Sequence, residues 1–387
     1  MEKVYIAGIG QTAVGEMWER SLASLSNEAI QRAFKEAGKP HVDALYVGNL
    51  LASAASSQAN LGALIVSNSG LGGIETMTAE AGEASGAAAL RMGYLAVRSG
   101  YVRTALVVGV EKYTDLVGNG MGNITAHSMD YDHEAVQGLT PLGQAGLLMS
   151  RYLDVYHPPR EALGALPILA HTNAIQNPYA MYRKAISSSA YKKAGLVCDP
   201  MNLFDAAPYA DGAAALLITS DEKIGELNGK ALIEISASNS TIDALALHDR
   251  PDALAFSAVT VSIQKALAQA GISWDEINFF ELWDAYSIFG ILSVEACGLA
   301  ARGEGWRWLA EGDHSSKGRL PLVTMGGNKA RGFPIGAAGV YQAVETVLQL
   351  RGLAGANQVD GVQVALLQAM GGPASNVITH ILSKLKK

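Results

Sequence analysis

The run Ala79-Glu80-Ala81-Gly82-Glu83-Ala84-Ser85-Gly86-Ala87-Ala88-Ala89-Leu90 decides how this 387-residue chain is read. From Gly86 onward it spells a helix of small, apolar residues on every side, the kind that lies between two layers rather than on a surface. A second run, Ile335-Gly336-Ala337-Ala338, opens a helix of the same character. Each leads to an apolar strand signal: Thr104-Ala105-Leu106-Val107-Val108-Gly109 after the first, Val362-Gln363-Val364-Ala365-Leu366-Leu367 after the second.

Working outward, the two halves of the chain share one grammar. Val4 to Ile9 predicts a strand, Leu25 to Phe34 an amphipathic helix closed by Gly38, and Val42 to Val47 a second strand. Ala231 to Ile235, Val259 to Leu267, Gly271 and Ile277 to Glu281 repeat that order. An internal duplication of this size implies two α/β halves, each sheet covered by helices on both faces, in a five-layer αβαβα sandwich. We expect the halves to span 1–225 and 226–387. Between about Asp115 and Leu203 lies a polar and aromatic insertion carrying Arg151, Arg183, Lys184, Lys192 and Lys193, expected as a loop subdomain laid over the first half.

Composition excludes several classes. With 49% hydrophobic and 17% charged residues the chain builds a large core, and a net charge of -7 offers no basic field for nucleic acid. Two cysteines, Cys198 and Cys297, make no disulfide framework and suit a reducing compartment, with the cytoplasm expected. The N-terminus enters a strand without a signal-peptide pattern, and no apolar run approaches the ~20 residues of a membrane helix. The Ser383-Lys384-Leu385 tripeptide is internal to Lys386-Lys387, so no peroxisomal address is expected. His157 and His171 lack metal-ligand spacing, so no metal is expected in this chain.

Further landmarks run the length of the chain: Gly8-Ile9-Gly10-Gln11-Thr12, Gly109-Val110-Glu111-Lys112, Asp211-Gly212-Ala213-Ala214-Ala215, Glu281-Leu282-Trp283-Asp284-Ala285-Tyr286, Gly332-Phe333-Pro334-Ile335-Gly336-Ala337-Ala338-Gly339 and Met370-Gly371-Gly372. In that order they resemble the thiolase superfamily, and within it the sterol-carrier-protein-X-like thiolases that work beside a small zinc-ribbon/OB-fold protein. The resemblance implies the thiolase fold, a coenzyme A thioester as substrate or ligand, a homodimer and a zinc-ribbon/OB-fold partner. It also implies that Glu83 stands where the family keeps its acyl-accepting cysteine, Trp283 and Phe333 where it keeps two histidines, and Met370 where many members keep a second cysteine. Trp283, Phe333 and Met370 are therefore expected to line the pocket. The backbone N–H groups of Glu83 and Gly372 are expected to form the oxyanion hole.

Covalent acyl transfer needs a nucleophile, a base and donors to the developing oxyanion, and these substitutions disfavour it. Glu83 reads either as an acid or base or as a first-turn carboxylate stabilising its helix by ~0.3–1 kcal/mol. Tyr286 is the nearest residue with a usable proton, or a packed tyrosine with a satisfied hydroxyl. Asp284 is expected to fix a loop. His127 and His133 read as surface residues near the mouth, and Arg183 and Lys184 as contacts for coenzyme A phosphates or as solvated cations. Three functions follow: non-covalent carbon–carbon chemistry on an acyl-CoA, of aldol or retro-aldol type, with Glu83 as acid or base; a catalytically inactive subunit of an acyl-CoA-processing complex; and a diverged acetyl-CoA acyltransferase.

Overall fold

A computed structural model describes residues 1–116, 120–222 and 230–385. The expected boundary at 225/226 and the terminal Lys386-Lys387 lie outside the described residues. The chain order contains strands β1 (Tyr5–Gln11), β2 (Ala44–Gly48), β3 (Glu75–Ala79), β4 (Thr104–Glu111), β5 (Leu196–Cys198), β6 (Met201–Asn202), β7 (Gly212–Thr219), β8 (Ile233–Ile242), β9 (Phe279–Glu281), β10 (Val364–Gly371) and β11 (Asn376–Lys384). The helices that matter to the site are α1 (Leu22–Ala37), α2 (Ser85–Arg98), α3 (Pro141–Tyr156), α4 (Ala165–Ala174), α5 (Ser257–Ala270), α6 (Ser287–Ala296) and α7 (Ala338–Leu350).

The duplication is visible in strand order. The main sheet runs β3-β2-β4-β7-β1-β8-β11-β10-β9, so from the centre outward β1-β7-β4-β2 and β8-β11-β10-β9 follow the same sequence. In both arms β4 with β2 and β10 with β9 are parallel and the pairs nearer the centre antiparallel; β3 adds a further parallel pairing to β2. The arms join through a short antiparallel contact in which Tyr5 faces Glu234 and Ile6 faces Ile233. Only the first arm carries a further edge strand, β3, among the described residues.

Helix α1 covers β1, β7 and β4 from outside; α5 covers β8 and β11; α2 and α7 touch strands of both arms and each other. That is the five-layer arrangement, with α2 and α7 in the middle. Their small residues are required by the crossing. A Cβ on Gly86 would lie 2.7 Å from the Gly336 carbonyl oxygen, and one on Gly339 would lie 2.7 Å from the Ala87 nitrogen. Helix α1 starts with Ser21 capping the Ser24 N–H and ends at Gly38 with φ 74°, as its sequence predicts.

The insertion, expected over the first half, touches that half through Ser128 and Tyr179 and also packs on the second. Helices α3 and α4 pack on α6 and on Gly305–Glu311 and Gly327–Arg331, all in the second half. The cause is apolar complementarity: Leu148, Met149, Tyr152, Leu166 and Ala170 share one buried cluster with Ile288, Ile291 and Leu292 of α6. The insertion thus brings its own residues against the loops that carry Trp283, Tyr286 and Phe333.

Candidate functional site

The turn between β3 and α2 is locked on itself. Gly82 takes φ +60°, Ser85 Oγ accepts the Ala81 N–H at 3.0 Å, and the same hydroxyl donates to the Gly82 carbonyl at 2.5 Å. This sets Glu83 one turn ahead of the buried helix, 8% exposed. Opposite it, β10 ends in Gly371-Gly372. A Cβ on Gly371 would fall 2.3 Å from the Ala81 carbonyl oxygen, so only glycine allows the two turns to meet. Buried Arg250 holds the far side of this turn, donating to the Pro373 carbonyl at 2.5 Å and to Ser375 Oγ at 3.0 Å.

The carboxylate of Glu83 fills the gap between the turns. Gly372 N–H donates to its Oε2 at 2.6 Å, Ser128 Oγ lies 3.4 Å from Oε1, and its own backbone amide is near enough to favour the charged form. The two amides expected to hold a thioester oxygen therefore converge on the side chain of Glu83. Burial pushes its pKa up; the Gly372 and Glu83 amides and Ser128 pull it down, the nearby Glu80 charge adds to the rise, and burial prevails. No cation pairs with this carboxylate among the described residues.

Three further segments close around it. Tyr286 and Tyr209 both line the cavity beside the site, and each is near enough to Glu83 to feel its charge. Burial holds the Tyr286 phenol well above its usual range, so it stays protonated. Tyr209 belongs to a segment stitched to both neighbouring loops. Ala207 N–H donates to the Ala285 carbonyl at 2.8 Å, Phe333 N–H to the Pro208 carbonyl at 2.9 Å, and Tyr113 OH to the Phe333 carbonyl at 2.8 Å. Asp284 accepts the Asn328 N–H at 2.7 Å and the Lys329 N–H at 3.3 Å, fixing its loop as expected.

A mostly apolar cavity of about 350 Å³ opens beside these tyrosines, walled by Leu142, Leu203, Phe204, Tyr209 and Tyr286 and by Tyr182 at its mouth. Trp283, Phe333 and Met370, expected on a pocket wall, are instead 1%, 3% and 0% exposed and are not part of this lining. Trp283 and Phe333 pack edge to face with ring centroids 5.6 Å apart, the arrangement favoured by two aromatic quadrupoles in a core. Arg183 and Lys184 are exposed and directly follow Tyr182, so they sit near the mouth. His127 and His133 are exposed, but Ser128 beside His127 reaches the site. The sequence pointed to Tyr286 but not to Ser128, Tyr209 or the rest of the cavity wall; Pro208-Tyr209 just before the Asp211-Gly212 landmark was the available signal for one of them.

The comparisons agree with this architecture. Residues 4–222 match the family model described as Thiolase, N-terminal domain, and residues 239–384 match Thiolase C-terminal domain-like. An acetyl-CoA acetyltransferase of Methanothermobacter thermautotrophicus is 35% identical over 386 residues, covering 99% of this chain and 100% of that protein. Sterol carrier protein 2 of Rattus norvegicus is 27% identical, with 98% of this chain aligned to 72% of it. The solved structure of the Ltp2-ChsH2(DUF35) aldolase superposes with a TM-score of 0.86 at 24% identity, covering 100% of this chain and 98% of that one. With both halves matched and the duplicated sheet in place, the chain belongs to the thiolase family.

Proposed function

We propose that this protein binds acyl-CoA thioesters and performs non-covalent carbon–carbon bond chemistry on them, of aldol or retro-aldol type, with Glu83 as the acid or base. The observation that carries this is the Glu83 carboxylate bonded to the Gly372 N–H at 2.6 Å beside two neutral phenols. A carboxylate there marks where an oxyanion would be held, and it is an exchangeable occupant. When a thioester oxygen takes the two amides, Glu83 loses the bonds that lower its pKa and becomes a stronger base in the same place.

The retro-aldol direction balances without a covalent intermediate. Glu83 takes the proton of a 3-hydroxyl, the C2–C3 bond breaks, and C3 leaves as a carbonyl. The electron pair moves into the thioester enolate, held by the Glu83 and Gly372 amides, and Glu83 returns the proton to C2. Tyr286, kept protonated by burial, donates a hydrogen bond to the departing carbonyl. Arg183 and Lys184 would meet the coenzyme A phosphates at the mouth. A homodimer and a zinc-ribbon/OB-fold partner complete the proposal; the aldolase that shares this fold is itself a two-protein assembly by name. The test is cleavage of a panel of 3-hydroxyacyl-CoAs, with and without such a partner. Aldehyde or ketone release matched by a shortened acyl-CoA supports the reading, and no release from any member defeats it.

A second reading has its own observation. Trp283 and Phe333 are packed core, and neither they nor Glu83 are on the cavity wall. This suits a thioester-binding subunit without chemistry. It predicts that Glu83→Ala leaves the turnover of the assembled complex unchanged.

A further inference from the structure

The cavity lined by Tyr209 and Tyr286 is mostly apolar, and besides its tyrosines the polar side chains in its wall are His171 and Lys329. Neither belongs to the proton-handling group at Glu83. His171, on α4, is 7% exposed; its Nδ1 lies 3.2 Å from the Lys184 carbonyl, which can only accept, so Nδ1 carries the proton. The lone pair of the neutral ring is then on Nε2, which makes no hydrogen bond among the described residues. Burial and the neighbouring Lys329 charge both hold His171 below its usual pKa, which keeps the ring neutral.

Lys329 is 2% exposed and donates to the Asp205 carbonyl at 2.8 Å and the Phe204 carbonyl at 3.2 Å. An ammonium has three hydrogens, and the third finds no partner among the described residues. The nearby carboxylates are spoken for: Asp205 by Arg160, Tyr191 and the Asn202 amide, Asp284 by two backbone amides. An acceptor without a partner and a donor with a hydrogen to spare thus both face this cavity, with the Lys329 charge close enough to act on His171. Leaving such groups unpaired costs ~1–3 kcal/mol each, so a ligand that satisfies both is selected over one that satisfies neither.

We propose that His171 and Lys329 select acyl chains bearing a hydroxyl, the group that donates to Nε2 of His171 and accepts from Nζ of Lys329 at once. A carboxylate accepts from Lys329 but gives Nε2 of His171 no donor, and an unsubstituted chain would strand both groups. This rests on the cavity being the acyl site of the proposed function.

The experiment measures, by calorimetry, binding of saturated medium-chain acyl-CoAs against a series carrying one hydroxyl at successive carbons, and against ω-carboxyl analogues. Free alcohols and alkanes of equal length are run in parallel by displacement of a fluorescent apolar probe. Expected is one hydroxyl position that tightens binding about tenfold or more, lost in His171→Phe and in Lys329→Met, with the unsubstituted chain bound at least as tightly by the variants as by the parent. His171→Phe carries the test alone if Lys329→Met fails to fold, since Lys329 also ties down the 204–205 carbonyls. Equal binding at every position, or a gain only for the carboxyl analogues, overturns the pair while leaving acyl-CoA binding standing. No acyl-CoA binding but a preference for alcohols leaves the pair standing and defeats the acyl-CoA reading. Binding of neither class defeats both.

Discussion

Two buried glutamates lie beside the central helices, and they are satisfied very differently. Glu111, at the end of β4, accepts Asn49 Nδ2 at 2.8 Å and the Leu51 N–H at 2.9 Å on one oxygen, and the Leu50 N–H at 3.0 Å and Gly336 N–H at 3.1 Å on the other. Every contact is a donor fixed by the fold, and together they tie the first half to the loop that starts α7. Glu83 has one strong contact from another residue, the Gly372 N–H, plus its own amide and a long approach from Ser128. Burial raises both, Glu111 to about 7. The difference teaches that burial alone does not make a carboxylate functional; the identity and replaceability of its donors do.

The comparison breaks first at Glu111. Replacing it by alanine removes the acceptor of four donors, three of them in buried bonds, and at ~1–3 kcal/mol each the loss is on the order of 3 kcal/mol or more, read as a lowered denaturation midpoint with unchanged slope. Glu83→Gln should leave the midpoint within about 1 kcal/mol of the parent while lowering cleavage of 3-hydroxyacyl-CoA by ~100–10,000-fold, the usual range for a lost acid or base. If the two variants lose stability equally, the distinction between anchor and exchangeable occupant is wrong. Tyr286→Phe removes one hydrogen bond to the departing carbonyl and should reduce turnover about tenfold with little change in KM, read in the same assay.

A smaller effect sharpens the comparison through pH. Glu83 is raised in the folded protein, so its contribution to stability is fully present below its unfolded pKa and is lost as pH rises through the folded value. Glu83→Gln resembles the protonated form and lacks this loss. Parallel denaturation curves should show the variant gaining on the parent as pH rises from the unfolded glutamate value through neutrality. A difference that stays flat over that span would mean Glu83 carries no raised pKa.

Much of the fold was legible because it depends on local grammar. The Gly38 and Gly271 helix ends, the apolar strands and the small-residue starts of α2 and α7 are signals within a few residues, and the duplicated strand order followed from repeating them. Glu83 was legible for the same reason, as a carboxylate at a turn between strand and small-residue helix. The surroundings of Glu83 were not, because they are assembled from far apart: Ser128 and Tyr209 approach from the insertion and its return, 45 and 126 positions along the chain. The insertion's position could not be read either, since the apolar face of α6 that captures it is uniform along the helix and names no partner. For Trp283 and Phe333, sequence showed bulk without showing direction, and the rings turned to each other.

The central claim is that a thioester oxygen takes the amides from Glu83 and leaves a carboxylate that binds protons more tightly. Titrating an acyl-CoA into the protein at neutral pH, in buffers of different ionisation enthalpy, measures this as protons exchanged per site. The account predicts net proton uptake on binding by the parent protein and none by Glu83→Gln. Binding of equal affinity with no proton uptake in either protein would contradict it.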